Sequence, residues 1–151
     1  MILDELNEFC DATAMNTGGA ATYLVGDVID LQETGKNLGA GQPLYLVVQI
    51  ETTATSGGSA TASFQLASDA AAAIAVDGSQ TIHSVTDAIA VASLTAGFTF
   101  VLPVPPEGSV TYERFLGVQQ TTAAAAFTAG KINAFLTNEP HQWKASADAI
   151  N

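Results

Sequence analysis

The sequence predicts an all-β fold, an antiparallel jelly roll or β-sandwich of about eight strands. Three observations carry the prediction. Short runs with an apolar period of two recur along the chain. Gly, Pro, Asn and Asp signals bound them at intervals of roughly 8 to 15 residues, the spacing of sandwiches and barrels. No long segment sustains the 3.6-residue period of an amphipathic helix. The 151 residues suit one domain with a core of its own.

The elements follow in order. Ile2, Leu3, Leu6, Phe9 and Cys10 alternate with Asp4, Glu5, Glu8 and Asp11. Their spacing fits one short helical stripe, and equally an extended arm docked by its apolar residues. Tyr23 to Leu31 reads as a strand with a bulge at Gly26-Asp27. A Gly-rich loop, residues 34–42, leads to Pro43–Ile50, the strongest strand. It is apolar on both faces and is therefore expected to be central and covered on both sides. Glu51 to Ser59 reads as a polar turn. Ala60 to Ser68 alternates, with Ala60, Ala62, Phe64 and Leu66 on one face. Residues 70–76 fit either a helical turn or a short strand, and Asp77-Gly78 is a turn. Further strands are predicted at Thr81–Val85, Ala88–Leu94, Gly97–Val104, Tyr112–Gln120 and Lys131–Thr137. Thr121 to Thr128 reads as a loop and Asn138 to Asn151 as a polar tail with the sole tryptophan, Trp143.

Composition narrows the function. The chain has 27 Ala and 17 Thr, 48% hydrophobic residues and only 13% charged ones, so the core is expected to be thin and built from small side chains. Four basic against fifteen acidic residues leave a net charge of −11, and the four cations stand far apart. Binding to a phosphate backbone needs clustered Lys and Arg, so nucleic acid is not the expected partner. Cys10 is the only cysteine, which excludes an intrachain disulfide and a thiolate-rich zinc site. The start lacks the basic and apolar regions of a signal peptide, so synthesis and retention in the cytoplasm of the producing cell are expected. Ala88–Pro106 is uncharged over 19 residues, but Gly97, Pro103, Pro105 and Pro106 break it. Strands around the turn at Thr95-Ala96-Gly97 explain it better than a membrane span.

No catalytic pattern stands out. His83 and His141 are 58 positions apart with no metal-binding spacing near either. There is no G-x-S-x-G elbow and no phosphate-binding glycine loop. Triads are recognised by geometry, so spacing alone leaves one open. Asp69, Asp77 and Asp87 flank loops without the oxygen-rich pattern of a calcium site. Phe98, Phe100, Phe115 and Phe135 are expected in the core; Tyr23, Tyr45 and Tyr112 could form a sugar-binding platform, but their strand positions favour packing. No catalytic residue, metal or cofactor is expected.

Several segments together resemble the jelly-roll cement (decoration) proteins of tailed phages, first described in a Bordetella phage. They are MILDELNEFCDA, GQPLYLVVQIE, LTAGFTFVLPVPP, YERFLGVQ and TAGKINAFLT, in the family's order over residues 1–137. The resemblance implies a non-enzymatic protein on the outer capsid surface. Its partners would be the major capsid protein and a second copy of itself. The chain then divides into an arm (1–15), a jelly roll (16–137) and a tail (138–151). Ile2, Leu3, Leu6 and Phe9 are expected to anchor an intermolecular contact, because they form an apolar cluster outside the predicted sandwich. Trp143 is a further expected anchor. A tail or head-completion protein and a carbohydrate-binding sandwich are the alternative readings.

Overall fold

Strand signals become two sheets in the computed structural model, which describes residues 5–32, 34, 38, 41–106 and 110–140. The strands are β1 (Glu8–Ala14), β2 (Ala21–Asp30), β3 (Tyr45–Ser56), β4 (Thr61–Asp69), β5 (Thr81–Val85), β6 (Ile89–Ala90), β7 (Thr99–Pro103), β8 (Phe115–Ala123) and β9 (Phe127–Thr137). One sheet has the order β1-β9-β3-β7 and the other β2-β8-β4-β5, with β6 pairing on β4 beside β5. All pairs are antiparallel. Neighbours come from distant parts of the chain, which is the double Greek key of a jelly roll.

The clean alternations hold. Ala60, Ala62, Phe64 and Leu66 face inward and are fully buried, as are Ile132 and Ala134 on β9. Leu46, Val48 and Ile50 complete the opposite wall. Phe64 and Phe100 join the two sheets, with ring centroids 5.5 Å apart. The core is otherwise lined largely with Ala, Val and Leu, as composition predicts. β3 is central, and its outward Val47 is also buried. The bulge at Gly26 is present as a register shift between Val25 and Ile29.

Several expectations are corrected. The N-terminal arm is neither a helix nor outside the sandwich. After a 3-10 turn at Glu5–Asn7, residues 8–14 form the edge strand β1, paired to β9. Phe9 is only 1% exposed and packs in the core, so it anchors the domain itself and not a neighbour. Two register shifts in β1 let Phe9 and Cys10 both turn inward, which imitates a helical stripe. The boundary between an arm and the domain at residue 15 therefore does not hold, because β1 belongs to the sheet. Leu6 is exposed on the surface. Ile2, Leu3 and Trp143 lie outside the described residues.

The two polar segments read as turns belong largely to strands. β3 runs to Ser56 and β8 to Ala123, and β9 begins at Phe127. Hydroxyls replace apolar contacts there: Thr55 and Thr128 bond across the pair at 2.8 Å. Ala88–Leu94 is a two-residue strand and a 3-10 turn. Tyr112 precedes β8 rather than opening it. Its ring is buried and its hydroxyl donates to the Pro105 carbonyl at 2.6 Å. Phe98 is exposed and meets Phe100 edge-on, while Phe135 is buried on the outward side of β9.

Residues 70–76 form neither a helix nor a strand. They cross the outside of the second sheet, where Ile74 sits on Gly117. Beneath this crossing lies a buried amide network. Gln65 and Gln80 donate to the Gln119 carbonyl oxygen at 2.7 and 3.2 Å, and Gln119 donates to the Ala75 carbonyl at 2.7 Å. Gln119→Leu leaves two amide donors and one carbonyl without partners. It is expected to cost about 2–3 kcal/mol, read as a lower urea midpoint at unchanged slope. A loss under about 0.5 kcal/mol would show that water already serves these groups.

Candidate functional site

The sheet order leaves two open flanks. β1 and β2 lie side by side on one, and β5 and β7 on the other. Edge strands invite pairing, and proteins blunt them with charge. The first flank is blunted. A groove there is lined by Glu8, Asp11, Asp27 and Asp30, with Leu6 and Val28 between them. Arg114 answers Asp30 by two hydrogen bonds, at 2.9 and 2.8 Å. The guanidinium, helped by the Gln32 N–H, holds the Asp30 carboxyl down at about 2.

The second flank is different. β5 (TIHSV) and β7 (TFVLP) carry no charged residue. Ile82 and Val85 on β5, and Phe98 and Val101 at β7, are exposed. This flank includes part of the uncharged run Ala88–Pro106. An uncharged, apolar edge with free backbone groups can bury side chains against a partner and can accept an added strand. Among the described residues it is the surface best suited to a protein contact.

Long-range folding also gathers a serine, a histidine and a glutamate that the sequence shows far apart. Ser68 Oγ lies 2.8 Å from His83 Nε2, and the Glu113 backbone N–H donates to the same Oγ at 3.0 Å. The Glu113 carboxylate takes the Thr81 hydroxyl at 2.8 Å, and the His83 ring stacks on Tyr112 at 3.8 Å. The arrangement resembles a triad in composition but not in access. Ser68 is 0% exposed, so its oxygen has no surface on which a substrate could sit. Oγ thus accepts from the Glu113 N–H and shares a second hydrogen bond with the His83 ring nitrogen. The cluster clamps β4, β5 and the segment before β8.

Burial pushes the His83 imidazole down to about 4, against a smaller upward pull from Glu113. The unfolded chain binds this proton near 6.5, the native state only near 4. His83 therefore contributes stability above pH 6.5 that declines as pH falls from about 6.5 to about 4. Melting temperatures measured across that window should fall more steeply for the natural protein than for His83→Gln. Parallel curves would remove His83 as the source.

The acidic residues singled out in loops have local duties. Asp69 accepts the Ala71 and Ala75 N–H groups, and Asp77 accepts from Ser79. These bonds hold both carboxyls below the usual carboxylate range. Among the described residues no group of three or more His, Cys, Asp or Glu is placed to hold a metal ion. Cys10 is buried against the Ile132 carbonyl, and burial pushes its thiol up to about 12. No described helix is long and apolar enough to cross a membrane.

Tyr23 and Tyr45 are half-buried and Tyr112 is buried, so the three do not form an exposed aromatic platform. A comparison with curated proteins gives no match. A family model described as Bbp16 matches residues 9–136, from the first inward side chain of β1 to the penultimate residue of β9. With most of the chain inside that match, including β2 to β8 entire and all but one residue each of β1 and β9, the protein belongs to the Bbp16 family, named for a Bordetella phage protein.

Proposed function

We propose that this protein is a capsid cement, or decoration, protein of a tailed phage. It binds the outer capsid surface, ties major capsid protein subunits together and acts as a homodimer without catalysis. The observation that carries the reading is the family match over residues 9–136. The apolar β5/β7 flank supports it by offering a contact edge, and we assign the capsid contact to that flank. A lattice repeats each junction many times, so modest affinity per contact becomes large in avidity. The charge of −11 keeps free copies soluble and away from packaged DNA.

Stoichiometry in purified particles tests the reading, by quantitative mass spectrometry against the major capsid protein. Hundreds of copies in fixed ratio are expected. A dozen or fewer would move the protein to the tail or the head-completion machinery, and absence from particles would sink the structural role. At residue level, the double variant Ile82→Lys, Val85→Lys should keep its melting temperature within a few degrees. Its occupancy on capsids lacking the natural protein should fall about tenfold or more. Unchanged occupancy would clear the β5/β7 flank of the contact.

A further inference from the structure

We infer that β7 pairs edge to edge with β7 of a second copy, antiparallel and centred on Phe100, so that two β1-β9-β3-β7 sheets join into one. Such a joint is the interface of the proposed homodimer and rests on that reading. Edge strands differ in how well they accept a partner. Of the four that end the sheets, β1 carries two register shifts and β2 and β5 one each, while β7 runs against β3 without any. Bulges and charges blunt an edge. β7 has neither.

The ladder to β3 fixes which groups face out. The Ile50 N–H donates to the Phe98 carbonyl at 2.8 Å, and the Val104 N–H to the Leu44 carbonyl at 2.9 Å. In an antiparallel pair, bonded positions alternate with positions that turn both backbone groups the other way. Phe100 and Leu102 therefore bond inward to β3, and Thr99 and Val101 turn their N–H and C=O groups to the open edge. Among the described residues nothing bonds these groups, and Val101 is 42% exposed. Pro103 shares their phase but has no N–H to offer.

A second β7 fits this edge. Turned about a two-fold axis, Thr99 faces the partner's Val101 and Val101 the partner's Thr99. Each of these pairs exchanges two bonds, about four in all. The ladder then closes itself. Pro103 meets the partner's Gly97, whose N–H is already given to the Ile50 carbonyl, so no donor is stranded at either end. Leu102 lies opposite the partner's Phe98, which is 37% exposed in a single copy. Charge selects the same edge. At −11, copies repel each other wherever carboxylates line the surface, as Glu8, Asp11, Asp27 and Asp30 do on the other flank. Residues 88–106, which include β7, carry no charge. The capsid contact is then left to Ile82 and Val85, exposed on β5.

Sedimentation equilibrium of the purified full chain should show a dimer at high micromolar concentration. Val101→Pro removes one edge-facing N–H without touching the β3 ladder, at a position where proline is tolerated. It should keep the melting temperature within a few degrees and weaken self-association about tenfold or more. Val101→Lys should do the same by charge, and serves if the proline variant does not fold. Oxidation tests the register. Thr99→Cys chains mixed with Val101→Cys chains should form disulfide-linked dimers far more readily than either alone, with buried Cys10 out of reach. Undiminished self-association in both Val101 variants would overturn the inference, as would equal cross-linking in every sample. A natural protein that stays monomeric yet fills capsids would overturn it and leave the cement role standing. A dimer sensitive to Val101→Pro, in a protein absent from particles, would support it and remove the cement role. A monomeric protein whose capsid occupancy is lost in Val101→Pro would give the edge to a capsid strand, and would overturn it too.

Discussion

Gly26→Val is expected to destabilise the protein by about 4 kcal/mol and to lower its melting temperature by about 12 °C. Gly26 has φ +72°, and a Cβ there would lie 2.3 Å from the Phe9 carbonyl oxygen and 2.6 Å from the Cys10 Cβ. The obstructing atoms are backbone and a Cβ, which cannot swing aside. The β2 bulge therefore passes so close to β1 that only glycine fits. Two alanine variants separate strain from contact. Gly97 has φ +88° with open space around it, so Gly97→Ala should cost about 1 kcal/mol of strain alone. Gly19 has open space and no such φ, so Gly19→Ala should be neutral. Calorimetry that placed Gly26→Val level with Gly97→Ala would show that β1 yields at this crossing.

Phe9→Ala should cost about 4 kcal/mol, the range for a buried phenylalanine whose site cannot collapse. The ring is 1% exposed and sits in the core beneath an edge strand. The expectation for a dispensable arm is thereby reversed. Removing residues 1–10 takes Phe9 and Cys10 out of the core, and the domain should lose most of its stability. Removing residues 1–7 leaves β1 in place and should change the urea midpoint little. A Phe9→Ala variant within about 0.5 kcal/mol of the natural protein would restore the detachable arm.

Where alternation is regular, the sequence is legible. Ala60–Ser68 and Lys131–Thr137 show a clean period of two, and each strand falls where the pattern puts it. Pro43–Ile50 is apolar on both faces, and β3 is indeed central and covered on both sides. Bulges defeat the same reasoning. In β1 they bring two adjacent residues inward, so a strand carries the spacing of a helix. Polar hairpins defeat it too, because the far ends of β3, β8 and β9 are held by backbone ladders and threonine hydroxyls rather than by an apolar face. The Ser68–His83–Glu113 cluster and the Asp30–Arg114 pair leave no local trace, since their members meet only through strand pairing.

The candidate site divides in the same way. Composition shows an acidic chain with one long uncharged run, and that run does include part of the apolar flank. Its exposure, however, depends on β5 and β7 ending their respective sheets, and no local pattern encodes which strand is last.

The sequence by itself determined the class, the approximate number of strands and most of the inward-facing residues. These are properties of short windows, where side-chain alternation and turn residues act within a few positions. Only the tertiary structure decided which strands became edges, that the N-terminal segment is core, and that one flank is guarded by carboxylates and the other left apolar. Those outcomes arise from pairing between segments up to 120 or more residues apart, as in Cys10 with Ala134. Such pairing depends on the summed fit of two sheets, and no single window of sequence contains it.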